Sequence, residues 1–493
     1  MSDRRVFTSI AAALALSSAV AAAGETAQER IVRSGEVVAI AARNNADLGA
    51  ALLEERRAVV DVSAEEGLRP FTLQLDGGYT HSSSPSVSPD GDVEHNTGNQ
   101  VTLGGQVSKT AAVGTQAAVR VEGSSQVDDP TYGLSAQLSV TQPILRGAGR
   151  EVGEASLRQA RSAEVAARLA AHRTASALAR DTLDAYWELW YAERALEIDV
   201  KARDAAKLAL DETRAKIEQG AAAEIDALQY ETHLASLEET VVAAATEVHR
   251  LSVQLVALAG LAREAAQVRA DPGESPPISA SDPPPDGALR AALRDAPEIA
   301  EAAAEVAAAE DRARTAGEEM RQRLDLVGWI GAQTLGYREV SPAFEQFGQG
   351  AAYSGYVGLV YELPMSDTRR EAQRASAKLD VEIAKQRLAS TGDQIRADVA
   401  IALEKCASGR KKLALAEQTL AVARKLAEAE RERYALGASI FIQVRDAEEA
   451  EREAMLRTVR ARIDLAEAQI ELDHLTGALL ARLGRLNPSA IGG

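Results

Sequence analysis

The chain has 493 residues, with 73 Asp and Glu against 55 Lys and Arg, giving a formal net charge of -18. That balance argues against a nucleic-acid binder, which needs Lys and Arg to neutralise phosphates. The single cysteine, Cys406, excludes an intramolecular disulfide framework and a multi-cysteine zinc site, and its position argues against a lipid-anchored N-terminus. Length alone predicts about three domains.

Residues 1–24 read MSDRRVFTSIAAALALSSAVAAAG. Arg4 and Arg5 precede an apolar stretch over 6–16 that is too short to span a bilayer, and Ala21 and Ala23 fit a small-residue cleavage site. The expectation is a signal peptide over 1–23 and a mature protein working outside the cytoplasm. An Ala-rich tail is the plainer reading. No later segment offers about 18 uncharged apolar residues, so no membrane-spanning helix is expected.

Alternating apolar residues follow. Phe71, Leu73, Leu75 and Tyr79 alternate, as do Val101, Leu103 and Val107, then Val119 and Val121, then Leu134, Leu138 and Val140. Period two predicts four strands, and polar residues 83–98 predict an exposed loop. Between Pro143 and Pro272 the chain holds no proline and is rich in Ala, Leu, Glu, Arg and Lys. Proline inside a helix removes a hydrogen bond and clashes with the preceding turn, so this is where very long helices are permitted. Trp187, Trp190 and Tyr191 are expected to pack between helices. Residues 262–288 hold six of the 15 prolines and read as a linker.

The second half repeats the plan. Val327, Trp329, Leu335 and Tyr337 alternate, as do Tyr353, Val357, Leu359, Tyr361 and Leu363, around a polar segment 338–351 expected as a loop. A second proline-free window covers 365–487. There Val399, Cys406, Leu413, Leu420, Ala427 and Tyr434 recur every seven residues, as do Leu456, Ile463, Ile470 and Gly477. Such a repeat makes helices coil around partners. One helix is expected from about Thr368 to Leu436, roughly 100 Å long at about 1.5 Å per residue. Ten-residue alternating segments suit a transmembrane barrel, with a soluble sheet as the alternative.

The halves align. Gly220 falls on Gly437 and Gly260 on Gly477, both at an offset of 217. Pro143 falls on Pro364 at 221, and RNNADL at 43–48 falls on RDAPEI at 294–299 at 251. The drop of about 30 residues lies in the strand region and amounts to one additional hairpin. The expected domains are a first repeat over 24–261, the linker 262–288, a second repeat over 289–480 and a tail over 481–493.

The duplicated plan, TQPILRGAG at 141–149, the glycine breaks EQGAAAEID and ALGASIFIQ, and the helix-ending AGL and TGA resemble the outer-membrane efflux protein family, the TolC-like tunnels, over essentially the whole mature chain. The resemblance implies a mixed α and β fold whose long coiled-coil helices form a trimeric α-barrel continuous with an outer-membrane β-barrel. It implies a homotrimer set in outer-membrane lipid and extending into the periplasm. The partners would be a periplasmic adaptor (membrane fusion) protein and an inner-membrane transporter. The implied function is that of a passive exit duct in a tripartite efflux or type I secretion system. The family's subunit gives four strands, twelve in the trimer, against six candidates here. Either the barrel is larger or the extra hairpin is an extended loop.

By position in that family, Gly220 and Gly437 mark the periplasmic tips. Asp226 matches a tip aspartate and Tyr434 the tyrosine that tethers it. Ser439 stands where an arginine often supplies a second tether, and Gln443 where an aspartate often points into the aperture. Asp446 keeps the next acidic position. The plainer readings are a helix N-terminal aspartate, a packed tyrosine and a solvated acid. The excess acid either lines the lumen or is simply solvated.

No G-x-S-x-G, P-loop or Rossmann fingerprint occurs, and the six histidines make no metal-ligand spacing with one another, so no enzyme, cofactor or metal site is expected. The rival class is a periplasmic adaptor or coiled-coil scaffold, which predicts one helical hairpin between compact β domains, without duplication.

Overall fold

A computed structural model describes residues 30–67, 70–129, 131–219, 223–261 and 267–486. The expected signal peptide, the first tip glycine Gly220 and most of the expected tail lie outside these residues. In the first half β1 (Arg30–Val32) leads into α1 (Ser34–Asn44) and α2 (Ala46–Gly67). Four strands follow: β2 (Thr72–Val87), β3 (Val93–Thr110), β4 (Gln116–Gln126) and β5 (Thr131–Pro143). A short α3 (Arg150–Gly153) precedes the long α4 (Ala155–Glu218), and α5 (Glu224–Leu258) returns along it. The second half runs β6 (Val268–Ala270), α6 (Pro285–Asp295), α7 (Pro297–Glu319), β7 (Arg323–Tyr337), α8 (Ser341–Gln349) and β8 (Ala352–Glu362). It continues through α9 (Thr368–Ala435) and α10 (Phe441–Leu475) to α11 (Leu479–Leu486).

The long helices fill the proline-free windows. α4 has 64 residues and α9 has 68, each about 100 Å long at about 1.5 Å per residue. Of the seven-residue series on α9, Val399, Cys406 and Ala427 are buried and Leu413, Leu420 and Tyr434 half-buried. α5 contains a stretch long and apolar enough to cross a membrane by length and composition. It lies instead against α4, with Leu251, Leu255 and Val256 in the core.

The duplication holds in atomic detail. α1 and α6 have 11 residues each, and both break into the next helix through one extended residue, Asn45 or Ala296. α5 and α10 end alike. Gly260 (φ 68°) and Gly477 (φ 70°) adopt the left-handed conformation, and Leu261 N–H and Ala478 N–H donate back to Val256 and Asp473 carbonyls. A Cβ on Gly260 would lie 2.6 Å from the Asn44 carbonyl oxygen, and one on Gly477 2.6 Å from that of Asp295. Only glycine permits both the turn and the approach.

The main core sits at this level. Tyr186, Trp187 and Leu189 of α4 are fully buried with Val32, Val37, Leu255, Val268 and Ile463. Residues 262–288 are more than a tether. β6 pairs in parallel with β1, and Val268 and Ala270 are buried. The Tyr186 hydroxyl donates to Glu274 at 2.6 Å, and α6 already begins at Pro285.

All six long strands join one antiparallel sheet, in the order β2-β3-β4-β5-β7-β8. The ladder between β2 and β3 continues through residues 83–98, expected as a loop, as far as Val87 opposite Val93. The 338–351 segment, also expected as a loop, contains α8. Direct cross-strand partners share a face. Leu73, Val107, Val119, Leu138, Ile330 and Gly355 form one row. The neighbouring row, on the opposite face, is Gln74, Gln106, Arg120, Gln137, Gly331 and Ser354. The division into an apolar and a polar face is clean from β2 to β5. On β7 and β8, by contrast, Val327, Trp329, Leu335, Tyr337, Tyr356 and Val360 stand on the polar side, so the alternation expected for β7 falls on the opposite face from that of the other strands.

Candidate functional site

The far ends of the two helical hairpins define the candidate site. Each hairpin is clamped near its tip by an Arg–Glu ion pair at matching positions. Arg214 Nη2 lies 2.6 Å from Glu231 Oε1 across α4 and α5, and Arg431 Nε lies 2.7 Å from Glu448 Oε1 across α9 and α10. Both members keep the offset that relates Gly220 to Gly437, so the clamp is duplicated with the hairpin. Arg431 also reaches Glu451 at 3.1 Å.

At the second tip α9 ends after Ala435, and Gly437 adopts φ 72° to start the reversal. Ala438 N–H donates to the Arg433 carbonyl, and Arg433 pairs with Glu430 at 2.6 Å. Ser439 Oγ lies 2.7 Å from Glu430 Oε2 and 2.9 Å from Gln443 Oε1. Ser439 and Gln443 therefore tie the turn to its own helices. Asp446 is exposed and pairs with the adjacent Arg445 at 2.7 Å, which offsets its charge.

At the first tip the Asp226 carboxylate accepts the Ala223 N–H at 3.3 Å, closing the first turn of α5. This is the work of an acid at the third helical position, where the backbone N–H groups are otherwise unpaired. Tyr434 goes elsewhere. It packs against the cluster of Tyr230 and Phe441, whose rings lie 4.0 Å apart, centroid to centroid. With Leu210, Ala227 and Ile217 these side chains join the two hairpins at their tips. Burial, and then the neighbouring Tyr434, raise the Tyr230 phenol above its ordinary range. Within one chain Asp226 and Tyr434 thus serve different contacts.

Further up, α4 and α10 are tied by ion pairs the sequence reading did not single out. Arg452 Nη1 lies 2.5 Å from Asp199 Oδ1, with Asp199 buried and Arg452 nearly so. Arg460 Nη1 lies 2.7 Å from Glu188 Oε1. Nearby, burial pushes the Asp184 carboxyl up to about 7, with Arg180 opposing and Glu471, Asp181 and Glu188 adding to the rise. Tyr230, Phe441 and Asp199 lack counterparts in the other repeat, so the duplication did not point to them. Among the described residues no group of His, Cys, Asp and Glu is placed to hold a metal ion.

A duplicated pair of very long helical hairpins, joined at one end and crowned by a long-stranded antiparallel sheet at the other, defines the class of fold. Residues 288–478 match the family model described as outer membrane efflux protein. The fold of the whole chain is that of solved outer-membrane channels. CmeC of Campylobacter jejuni matches with a TM-score of 0.66 at 15% identity, covering 96% of this chain and 95% of that one. VceC of Vibrio cholerae matches with a TM-score of 0.65 at 17% identity, covering 90% and 96%. MtrE of Neisseria gonorrhoeae, solved in an open state, matches with a TM-score of 0.63 at 18% identity, covering 91% and 89%. No curated protein matches the sequence.

Proposed function

We propose that this chain is the outer-membrane component of a tripartite efflux or type I secretion system, a passive exit duct that crosses the periplasm. Three copies close the duct, a periplasmic adaptor docks at its tips, and an inner-membrane transporter delivers the substrate. One observation carries the reading: a six-stranded sheet, apolar on one face and polar on the other from β2 to β5, stands at the end of two helical hairpins whose longer helices are each about 100 Å long at about 1.5 Å per residue. A bilayer accepts strands only where the ladder closes and the lipid-facing side is apolar. The adaptor reading requires a single hairpin between compact β domains, and this chain has two hairpins and one long-stranded sheet.

The tips are the proposed gate. Its residues would be Gly220, by its place in the sequence, with Asp226, Tyr434, Gly437, Gln443 and Asp446, which lie at or beside the two reversals, where neighbouring copies of a closed ring would meet. Asp226 is half-buried, and its carboxylate holds the first turn of α5 at the reversal. Two measurements test the proposal. The mature protein should fractionate with the outer membrane as a heat-resistant trimer and conduct ions in planar bilayers. Asp226→Ala should raise that conductance, and an unchanged value would remove Asp226 from the gate while leaving the duct in place.

A further inference from the structure

We infer that each subunit contributes six strands to the barrel wall, so that three copies close an eighteen-stranded barrel by pairing β8 of one copy with β2 of the next. The inference rests on the duct reading above. It concerns the additional hairpin, β3 and β4, which could equally have stood off the wall as a long loop.

Three observations place β3 and β4 in the wall. First, β4 is paired on both sides, to β3 and β5, and β3 is paired to β2 along nearly its whole length and to β4 from Gln100 to Thr110. The only unpaired long edges in the sheet, among the described residues, belong to β2 and β8.

Second, they follow the alternation of their neighbours β2 and β5. Val101, Leu103 and Val107 of β3, with Val119 and Val121 of β4, lie on the apolar face and are exposed, Leu103 by 72%. On a loop in water these side chains would form an unexplained apolar patch. In the wall they meet lipid. On the polar face Arg120 of β4 reaches across β3 to Asp76 of β2, Nη2 to Oδ2 2.7 Å, while pairing with Glu122 at 2.8 Å. Gly104 of β3 makes that bridge possible, because a Cβ there would lie 2.8 Å from the Asp76 carboxylate. The bridge stitches three strands on the side that would face the lumen.

Third, the turn between β3 and β4 is seated on the junction with the helices. Gly114 has φ 86°, and a Cβ there would collide with the Gly147 carbonyl. Gly149 N–H donates to the Val113 carbonyl at 3.2 Å, and Gly153 lies close against the Ala112 carbonyl. A hairpin held at its base and on both flanks is part of the wall.

The occupant of the two open edges is a second copy of this chain. Unpaired backbone groups on β2 and β8 are costly in lipid. An edge strand of another copy satisfies them while continuing both the apolar and the polar rows. With strands about 4.8 Å apart and tilted about 40°, eighteen strands give a barrel about 36 Å across, against about 24 Å for twelve.

The test uses the full chain reconstituted in lipid nanodiscs and imaged by electron cryomicroscopy. Eighteen strands and a diameter of about 36 Å are expected. A trimeric ring of twelve, with a hairpin off the wall, would overturn the inference and leave the duct intact. The absence of any ring would overturn both. A second readout uses single cysteines in a Cys406→Ser background. Gln106→Cys should react with a water-soluble maleimide on the order of tenfold faster than Val107→Cys, because one faces the lumen and the other lipid. Equal rates would place β3 outside the wall.

Discussion

At the end of α5, Gly260 sits against the Asn44 carbonyl; at the end of α10, in the matching place of the second repeat, Gly477 sits against the Asp295 carbonyl. The tip clamps, Arg214 with Glu231 and Arg431 with Glu448, keep the same offset. Away from the joints and clamps the repeats diverge. The first carries four long strands and the second two, with α8 in the connection. Tyr230 of α5 faces Phe441 of α10, and Asp199 of α4 faces Arg452 of α10. The lesson is a division of labour. Features that set the path of the backbone are duplicated, because both halves must follow the same path. Features that bind one half to the other are single, because an interface between unlike halves needs complementary rather than identical side chains.

The largest effect should come from a single, unduplicated contact. Arg452→Met leaves the buried Asp199 carboxylate without its partner and should cost about 3–5 kcal/mol in denaturant unfolding. Exchanging both residues for apolar ones should recover most of that loss. A small effect from Arg452→Met alone would show that the halves are held together elsewhere.

Next come the glycine joints. Gly260→Ala and Gly477→Ala should each cost at least about 2 kcal/mol, from a left-handed backbone and a close carbonyl. Equal losses in thermal unfolding would confirm that the joints are equivalent, and a several-fold inequality would break the comparison.

A smaller effect is expected at Asp184, because solvent reaches part of its carboxylate. Its folded value of about 7 lies above the ordinary 3.8. Below about pH 4 both states are protonated and nothing is lost. Between about pH 4 and 7 the unfolded chain ionises while the folded chain retains its proton, so stability falls as pH rises. Above about 7 the loss is complete and constant. Asp184→Asn should flatten that slope in melting temperatures taken from about pH 4 to 8. A slope unchanged by the substitution would assign it to other groups.

The smallest effect should come from the tip clamps. Their ion pairs are exposed, and such pairs contribute about 0.2–1 kcal/mol. Arg431→Ala should loosen its tip more than Arg214→Ala, since Arg431 also holds Glu451. Amide hydrogen exchange at the two tips would rank them, and raised salt should narrow the difference.

Much of this was legible in the sequence because it depends on local chemistry. The distribution of proline fixed where helices of 64 and 68 residues could run, since one misplaced ring would have broken them. Alternating apolar residues located six strands, and two glycine pairs at one offset exposed the duplication. The strand extension through 83–98 was hidden, because Ser82, Ser83, Ser84 and Pro85 have turn-like chemistry and are held extended only by a partner strand.

What only the tertiary structure decided is which surfaces meet. Tyr434 was legible as a tip residue, yet within the chain it packs with Tyr230 rather than Asp226, because the packing of the two hairpins at their tips brings those side chains together. The proline-rich segment after α5 read as a linker, yet Val268 and Ala270 are buried because β1, at the far end of the first repeat in sequence, lies adjacent in space. Periodicity and proline act over one or two turns of chain and are written in the sequence. Pairing between distant segments depends on the relative placement of whole helices, which no local pattern records.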